Sequence, residues 1–236
     1  MAVLVTRATP GDQSTLEALR TRGGAAISSP VLVTELCAPA EPDWSGVQAL
    51  LVTSANAAAA LQSYHGAKAI PVLAVGDHTA AALKAAGFGR VESAQGDAAA
   101  LLDLAAARLS PGAGKVVYLR GEDVATDLAG ALRGRGFATD SLIVYRTVKA
   151  RLLTDQAISA IRAGEVSGVL FHSRRGAEAF LSLAVDSALA GYFNRMTAFA
   201  LSARAAEPLD PSLWRAIQVA PSPNEASLLS IIAADA

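Results

Sequence analysis

One cysteine, three histidines, few aromatic residues and no excess of either charge are what this chain is short of, and each shortage removes a class of function. With Cys37 alone no intrachain disulfide can form, and a reducing, cytoplasmic setting is expected. His65, His78 and His172 do not stand at ligand spacing, so the chain offers no pattern for a transition metal. Twenty lysines and arginines against twenty-one acids leave a net charge of −1, which gives no footprint for nucleic acid or an anionic membrane. No apolar run approaches the roughly 18–20 residues that span a bilayer. The start, Met1 to Arg7, has no basic stretch ahead of its apolar one, so neither a signal peptide nor an anchor is expected. A glycine-rich dinucleotide turn, a P-loop and a nucleophile elbow are also missing, which weakens the dinucleotide, nucleotide and hydrolase readings.

What the chain does have is self-similarity in an interleaved order. Residues 3–35 reappear as 116–148 at an offset of 113, which matches Arg7 with Arg120, Leu19 with Leu132, Arg20 with Arg133, Arg22 with Arg135 and Gly23 with Gly136. Residues 49–61 reappear as 168–180, and Val72–Gly76 has a weaker echo in Ala198–Ser202. The order is A, B, A′, B′. A period near half the chain predicts two related domains with a ligand held between them, and 236 residues suffice for two cores. Sixteen of the twenty cations are arginine. Arginine suits paired donation to carboxylate or phosphate, although a GC-rich genome produces the same bias.

Short Val-, Leu- and Ile-rich runs (3–6, 49–53, 72–75, 116–119, 168–171, 197–201) alternate with alanine-rich amphipathic stretches, the pattern of βα units around parallel sheets buried on both faces. Helix starts are predicted at Thr9-Pro10-Gly11-Asp12, Ser54-Ala55-Asn56, Gly76-Asp77, Thr154-Asp155 and Ser222-Pro223. Helix ends are predicted at Gly23-Gly24, Gly87, Gly136 and Gly164. Ser29–Glu35 and Leu142–Lys149 read instead as extended crossing strands. If they pair as a ribbon, the first domain is discontinuous: 1–34 with 150–236 form one α/β domain, 37–147 form the other, and 31–37 and 142–149 link them. Plain tandem domains are equally allowed by the repeats, and the discontinuous version is preferred because it places the crossing strands side by side.

Chemistry is expected at the strand-to-helix turns, where open α/β sheets bind ligands and exposed N–H groups attract anions. These turns are Thr53-Ser54-Ala55-Asn56, Gly76-Asp77-His78-Thr79, Arg120-Gly121, His172-Ser173-Arg174-Arg175-Gly176 and Ser202-Ala203-Arg204, each read as opening a helix.

At these residues the chain resembles the uroporphyrinogen-III synthase family. The resemblance rests on ordered segments: Val5-Thr6-Arg7, Val52-Thr53-Ser54-Ala55-Asn56, Ala74-Val75-Gly76 with Thr79-Ala80, and Tyr118-Leu119-Arg120-Gly121. Val144-Tyr145-Arg146-Thr147, Leu170-Phe171-His172-Ser173 with Gly176-Ala177, Ala200-Leu201-Ser202 and Pro221-Ser222-Pro223 complete it. It implies two α/β domains joined by a two-stranded ribbon, and no metal or organic cofactor. The implied reaction takes a linear hydroxymethylbilane with eight carboxylates, eliminates its hydroxyl, inverts ring D through a spiro intermediate and closes the macrocycle.

The resemblance also implies site residues. Tyr145 is expected to hydrogen-bond the departing hydroxyl, with Thr79 in support. Arg7, Thr53, Ser54, Asn56, Gly76, Arg120, Gly121, Ser173, Arg174, Ser202 and Arg204 are expected to bind substrate. Ser202-Ala203-Arg204 departs from the glycine-containing turn at Gly76, and Pro208 and Pro211 predict a short or broken helix there. A monomer is expected, with the enzyme that makes the bilane as a candidate partner and neither nucleic acid nor membrane. A two-lobed small-anion-binding protein and a sugar-phosphate isomerase remain as alternatives.

Overall fold

The structure, a computed structural model, describes residues 1–9, 11–37, 40–124 and 126–232. Pro10, predicted at the first helix start, lies outside the described residues. In chain order the strands are β1 (Ala2–Val5), β2 (Ala25–Ser28), β3 (Leu32–Leu36), β4 (Val47–Val52), β5 (Val72–Ala74), β6 (Val91–Ser93), β7 (Lys115–Gly121), β8 (Thr139–Lys149), β9 (Val166–Phe171), β10 (Thr197–Ala200) and β11 (Ala216–Val219). The α-helices are α1 (Gly11–Thr21), α2 (Ala55–Leu61), α3 (Asp77–Ala85), α4 (Ala98–Arg108), α5 (Leu128–Gly134), α6 (Asp155–Arg162), α7 (Arg174–Asp186), α8 (Ala203–Ala206) and α9 (Glu225–Ile232).

The chain divides into two compact units, Met1–Val33 with Val148–Ala236, and Thr34–Thr147. The first holds a sheet of order β11-β10-β9-β1-β2, parallel throughout. Strand β1, from copy A, therefore lies beside β9 and β10, from B′. Consecutive residues of β1 point to opposite faces, and both faces are covered. Leu4 joins Phe171, Phe180 and Trp214 in one cluster, while Val3 and Val5 join Leu170, Phe199 and Leu228 in another. A strand buried on both sides needs an unbroken apolar run, which is why β1 and β9 read so clearly.

The second unit holds β3-β8-β7-β4-β5-β6. Its four characterised pairs β4·β5, β4·β7, β5·β6 and β7·β8 are parallel. Leu50 and Val52 pack into one face and Leu51 into the other. The helix ends agree with the sequence: Gly23, Gly87, Gly136 and Gly164 have φ of 78°, 90°, 87° and 71°, a region costly for residues with a Cβ.

Three expectations need correction. The first crossing strand does not run over 29–35. Residues Ala25–Ser28 already form β2 beside β1, Ser29 and Val31 donate to the carbonyls of Val5 and Thr6, and β3 begins only at Leu32. Pro30 supplies no N–H and separates the two strands. The second crossing strand starts earlier than 142, at Thr139, because its first half pairs in parallel with β7. Its far end lies antiparallel to β3, as shown by Cys37 N–H to Val144 O at 3.0 Å and Ala150 N–H to Val31 O at 2.9 Å. Finally, Arg120-Gly121 does not open a helix: β7 runs through both residues, and α5 starts at Leu128, capped by Asp127.

Candidate functional site

Parallel strands deliver their following loops to one edge of a sheet, so the order of strands fixes which predicted residues are neighbours. In the second unit the carboxyl ends of β7, β4 and β5 bring Arg120-Gly121, Thr53-Ser54 and Gly76 to one edge in that order, and Tyr145, inside β8, stands beside Gly121. Tyr145 and Gly121 pair directly across β7 and β8, and the Glu122 N–H donates to the Tyr145 carbonyl at 2.9 Å. The Tyr145 ring is half-buried and lies on Gly121, where an added Cβ would stand 2.6 Å from Cε2 and 3.0 Å from the hydroxyl. Among the described residues the Tyr145 hydroxyl has no hydrogen-bond partner.

One strand over, the Thr53 and Tyr118 hydroxyls are 3.1 Å apart. Burial pushes the Tyr118 phenol up, while its bond to Thr53 pulls the other way. Ser54 caps α2 by accepting from Asn56 N–H at 3.2 Å, and Asn56 Nδ2 reaches Thr34 Oγ1 at 3.5 Å. Gly76 and Thr79 belong to the start of α3, and Thr79 is only 5% exposed. Three interstrand steps of about 4.8 Å put that turn roughly 14 Å along the edge from Tyr145.

In the first unit the ends of β10, β9 and β1 carry Ser202, Ser173 and Arg7 in turn. Ser173 caps α7 through Gly176 N–H at 3.0 Å, and Ser202 caps α8 through Ala205 N–H at 3.3 Å. Ser202 (φ −156°, ψ 164°) has the backbone of Gly76 (φ −157°, ψ 173°). That is extended geometry open to any residue, so serine replaces glycine there without altering the turn. The helix it opens is short, with four residues.

The arginines of this unit are less available than the sequence suggested. Arg7 donates from Nη1 to Thr15 Oγ1 and to Glu225 Oε2, each at 3.2 Å. Arg174 pairs with Glu178 at 2.9 Å and Glu207 at 3.0 Å. Arg204 is exposed and meets no carboxylate among the described residues.

Two participants escaped the sequence reading. Glu225, at the start of α9, accepts from Thr15 Oγ1 at 2.5 Å and lies 3.0 Å from His172 Nε2. The hydrogen bond from His172, then Thr15 and the charges of His172 and Arg7, outweigh burial and bring its carboxyl down to about 2. Glu225 lies 218 residues from Arg7, and no local pattern links them. Tyr118 sits inside a recognised segment, but only its pairing with Thr53 reveals a polar role.

The edge residues of the second unit combine a phenol, hydroxyls and one arginine, groups able to donate to a leaving hydroxyl and to hold a carboxylate. Alanine at Gly121 is expected to tilt the Tyr145 ring and lower turnover on the order of tenfold, with a melting temperature within about 2 °C of the parent because a ring on an open edge can yield. Paired rate and melting measurements check this, and unchanged turnover would separate the ring's position from the chemistry.

Comparison with known proteins adds independent findings. The model of the family described as uroporphyrinogen-III synthase HemD matches residues 13–230. The fold is similar to the crystal structure of uroporphyrinogen-III synthetase from Helicobacter pylori: 19% identity, 99% of this chain and 98% of that one covered, TM-score 0.61. Uroporphyrinogen III synthase from Thermus thermophilus also aligns, at 23% identity over 98% of this chain and 96% of that one, with TM-score 0.41. No curated protein matches significantly by sequence.

Proposed function

Because this chain belongs to the uroporphyrinogen-III synthase family, a family of cyclising lyases of haem biosynthesis, we propose how its own residues carry the cyclisation of hydroxymethylbilane with inversion of ring D. The observation that carries the proposal is the Tyr145 phenol, half-buried against Gly121, the last residue of β7, and bonded to no described protein group. Such a hydroxyl is available to a ligand. Tyr145 donates to the departing hydroxyl of the bilane, the C–O bond breaks, and water leaves with the transferred proton. The electron pair of the adjacent pyrrole nitrogen stabilises the resulting azafulvene-like electrophile.

Ring closure then needs little further chemistry and a great deal of positioning. Arg120 and Arg204 recruit substrate carboxylates, helped by backbone N–H groups at the starts of α3 and α7, behind Gly76 and Ser173. Thr53, Ser54, Asn56, Gly121 and Ser202 shape the two strand edges. Arg7 and Arg174 enter through their ion pairs, which hold Glu225, Glu178 and Glu207 in place. Thr79, buried at the start of α3, supports that turn.

The test is isomer analysis. Purified protein mixed with freshly generated hydroxymethylbilane is expected to yield mainly the type III macrocycle, with no cofactor added. Only type I, the product of spontaneous closure, would overturn the assignment. The family match favours this reading over a small-anion sensor or a sugar-phosphate isomerase. We also propose a cytoplasmic monomer that receives bilane from the enzyme producing it, testable by size-exclusion chromatography alone and with that enzyme. No helix among the described residues is long and apolar enough to cross a membrane.

A further inference from the structure

We propose that a cavity of about 390 Å³ in the second unit, lined along β7 and α5 by Arg120 and Arg133, is a carboxylate subsite. It rests on the family reaction, in that the carboxylate is an acetate or propionate arm of the bilane. Tyr118, Thr126, Asp127 and Ser141 also line it. Arg120 Nη1 donates to the carbonyls of Gly121 at 2.8 Å and Glu122 at 2.9 Å, and Arg133 Nε donates to the carbonyl of Thr139 at 3.2 Å. All three acceptors are neutral. Such bonds leave both charges uncancelled, and among the described residues neither group meets a carboxylate.

The internal repeat sharpens the point. Arg120 matches Arg7 at the offset of 113, and Arg7 does hold a carboxylate, that of Glu225 at 3.2 Å. The same arginine position after the same kind of strand thus binds an acid of the chain in one unit and none in the other. Arg133 comes from α5 and Arg120 from β7, so two rigid elements each bring a cation to the wall of this cavity, and arginine suits a planar anion. The one acid on the cavity wall, Asp127, is turned to the start of α5, where Oδ1 accepts from Gly130 N–H at 2.9 Å. Two cations and one anion leave the cavity positive. The Ser141 and Thr126 hydroxyls supply further donors on the exposed rim.

The opposed charges give a test with two signs. The probe is uroporphyrin III, a macrocycle with eight carboxylates, titrated against the full chain by fluorescence. Arg133→Gln is expected to weaken binding about tenfold, the worth of one charge-assisted contact, and Arg133→Lys to restore most of it. Asp127→Asn is expected to tighten binding a few-fold, because asparagine caps a helix as well as aspartate while removing the competing charge. Arg90→Gln, which removes an exposed cation outside this cavity, should leave affinity within about twofold, since exposed charges that touch no ligand are largely screened. Equal affinities for wild type, Arg133→Gln and Asp127→Asn, weakening in both of the last two, or no binding by wild type would each overturn the subsite. Should Arg133→Gln fail to fold, Asp127→Asn decides alone. Isomer analysis of the wild type reads the family reaction separately, so failure of the subsite is told apart from failure of that reaction.

Discussion

Phenylalanine in place of Tyr145 is expected to lower turnover about a hundredfold and to leave the fold intact. The substitution removes one hydroxyl and keeps the ring that covers Gly121. Because that hydroxyl has no partner among the described residues, its loss strands no buried protein group, and stability should move by less than about 0.5 kcal/mol. A positioned proton donor is worth about 10²–10⁴-fold, and the easy ionisation of a pyrrolic hydroxymethyl group places the effect at the low end. Spontaneous closure continues while the enzyme slows, so the share of type I product should rise with it. Initial rates and isomer ratios at saturating bilane make the measurement. Turnover within twofold of the parent would reduce Tyr145 to a packing role.

Alanine at Glu225 is expected to cost about 2–3 kcal/mol of stability, an effect no other single carboxylate described here should match. It removes the common acceptor of Thr15, which is 0% exposed, and of Arg7, and the contact of a His172 side chain only 11% exposed. Three elements would lose their tie to α9 at once.

The same carboxylate makes stability depend on pH, and glutamine isolates that part. Glu225 ionises at about 2 in the folded chain against an ordinary value of 4.5. A depressed acid contributes its full stabilisation above the unfolded value and loses it as pH falls towards the folded one. With about a third of the side chain in solvent, screening leaves this contribution near 1–2 kcal/mol. The melting gap between wild type and Glu225→Gln should therefore be full at neutral pH and close between pH 4.5 and pH 2. A gap that stays constant through that window would show that the charge of Glu225 has no part in the network.

Much of this was legible along the chain because it depends on near neighbours. Val3-Leu4-Val5 and Leu50-Leu51-Val52 read as doubly buried strands, since a parallel strand must be apolar on both faces. Ser54 and Ser173 read as helix starts because a cap needs only a hydroxyl and the next few N–H groups. Strands β2, β6 and β11 were missed. Each is an edge strand with mostly half-buried positions, so it lacks the unbroken apolar run that marks equally short inner strands such as β5. The Arg120-Gly121 turn was misread because its repeat partner is followed closely by a helix and it is not.

The sequence by itself determined the repeating strand–helix grammar, the glycine-ended helices, the family and the candidate tyrosine, since each depends on residues close together or on ordered short segments. Only the tertiary structure decided which half-unit shares a sheet with which, because tandem and interleaved pairings bury equivalent apolar strands and leave the same local pattern. It also decided which charges are occupied. Arg7 and Arg120 are indistinguishable along the chain, yet the fold brings Glu225 to the first and no carboxylate among the described residues to the second. Pairing between side chains 218 residues apart is settled by where the backbone carries them, and local sequence holds no record of that distance.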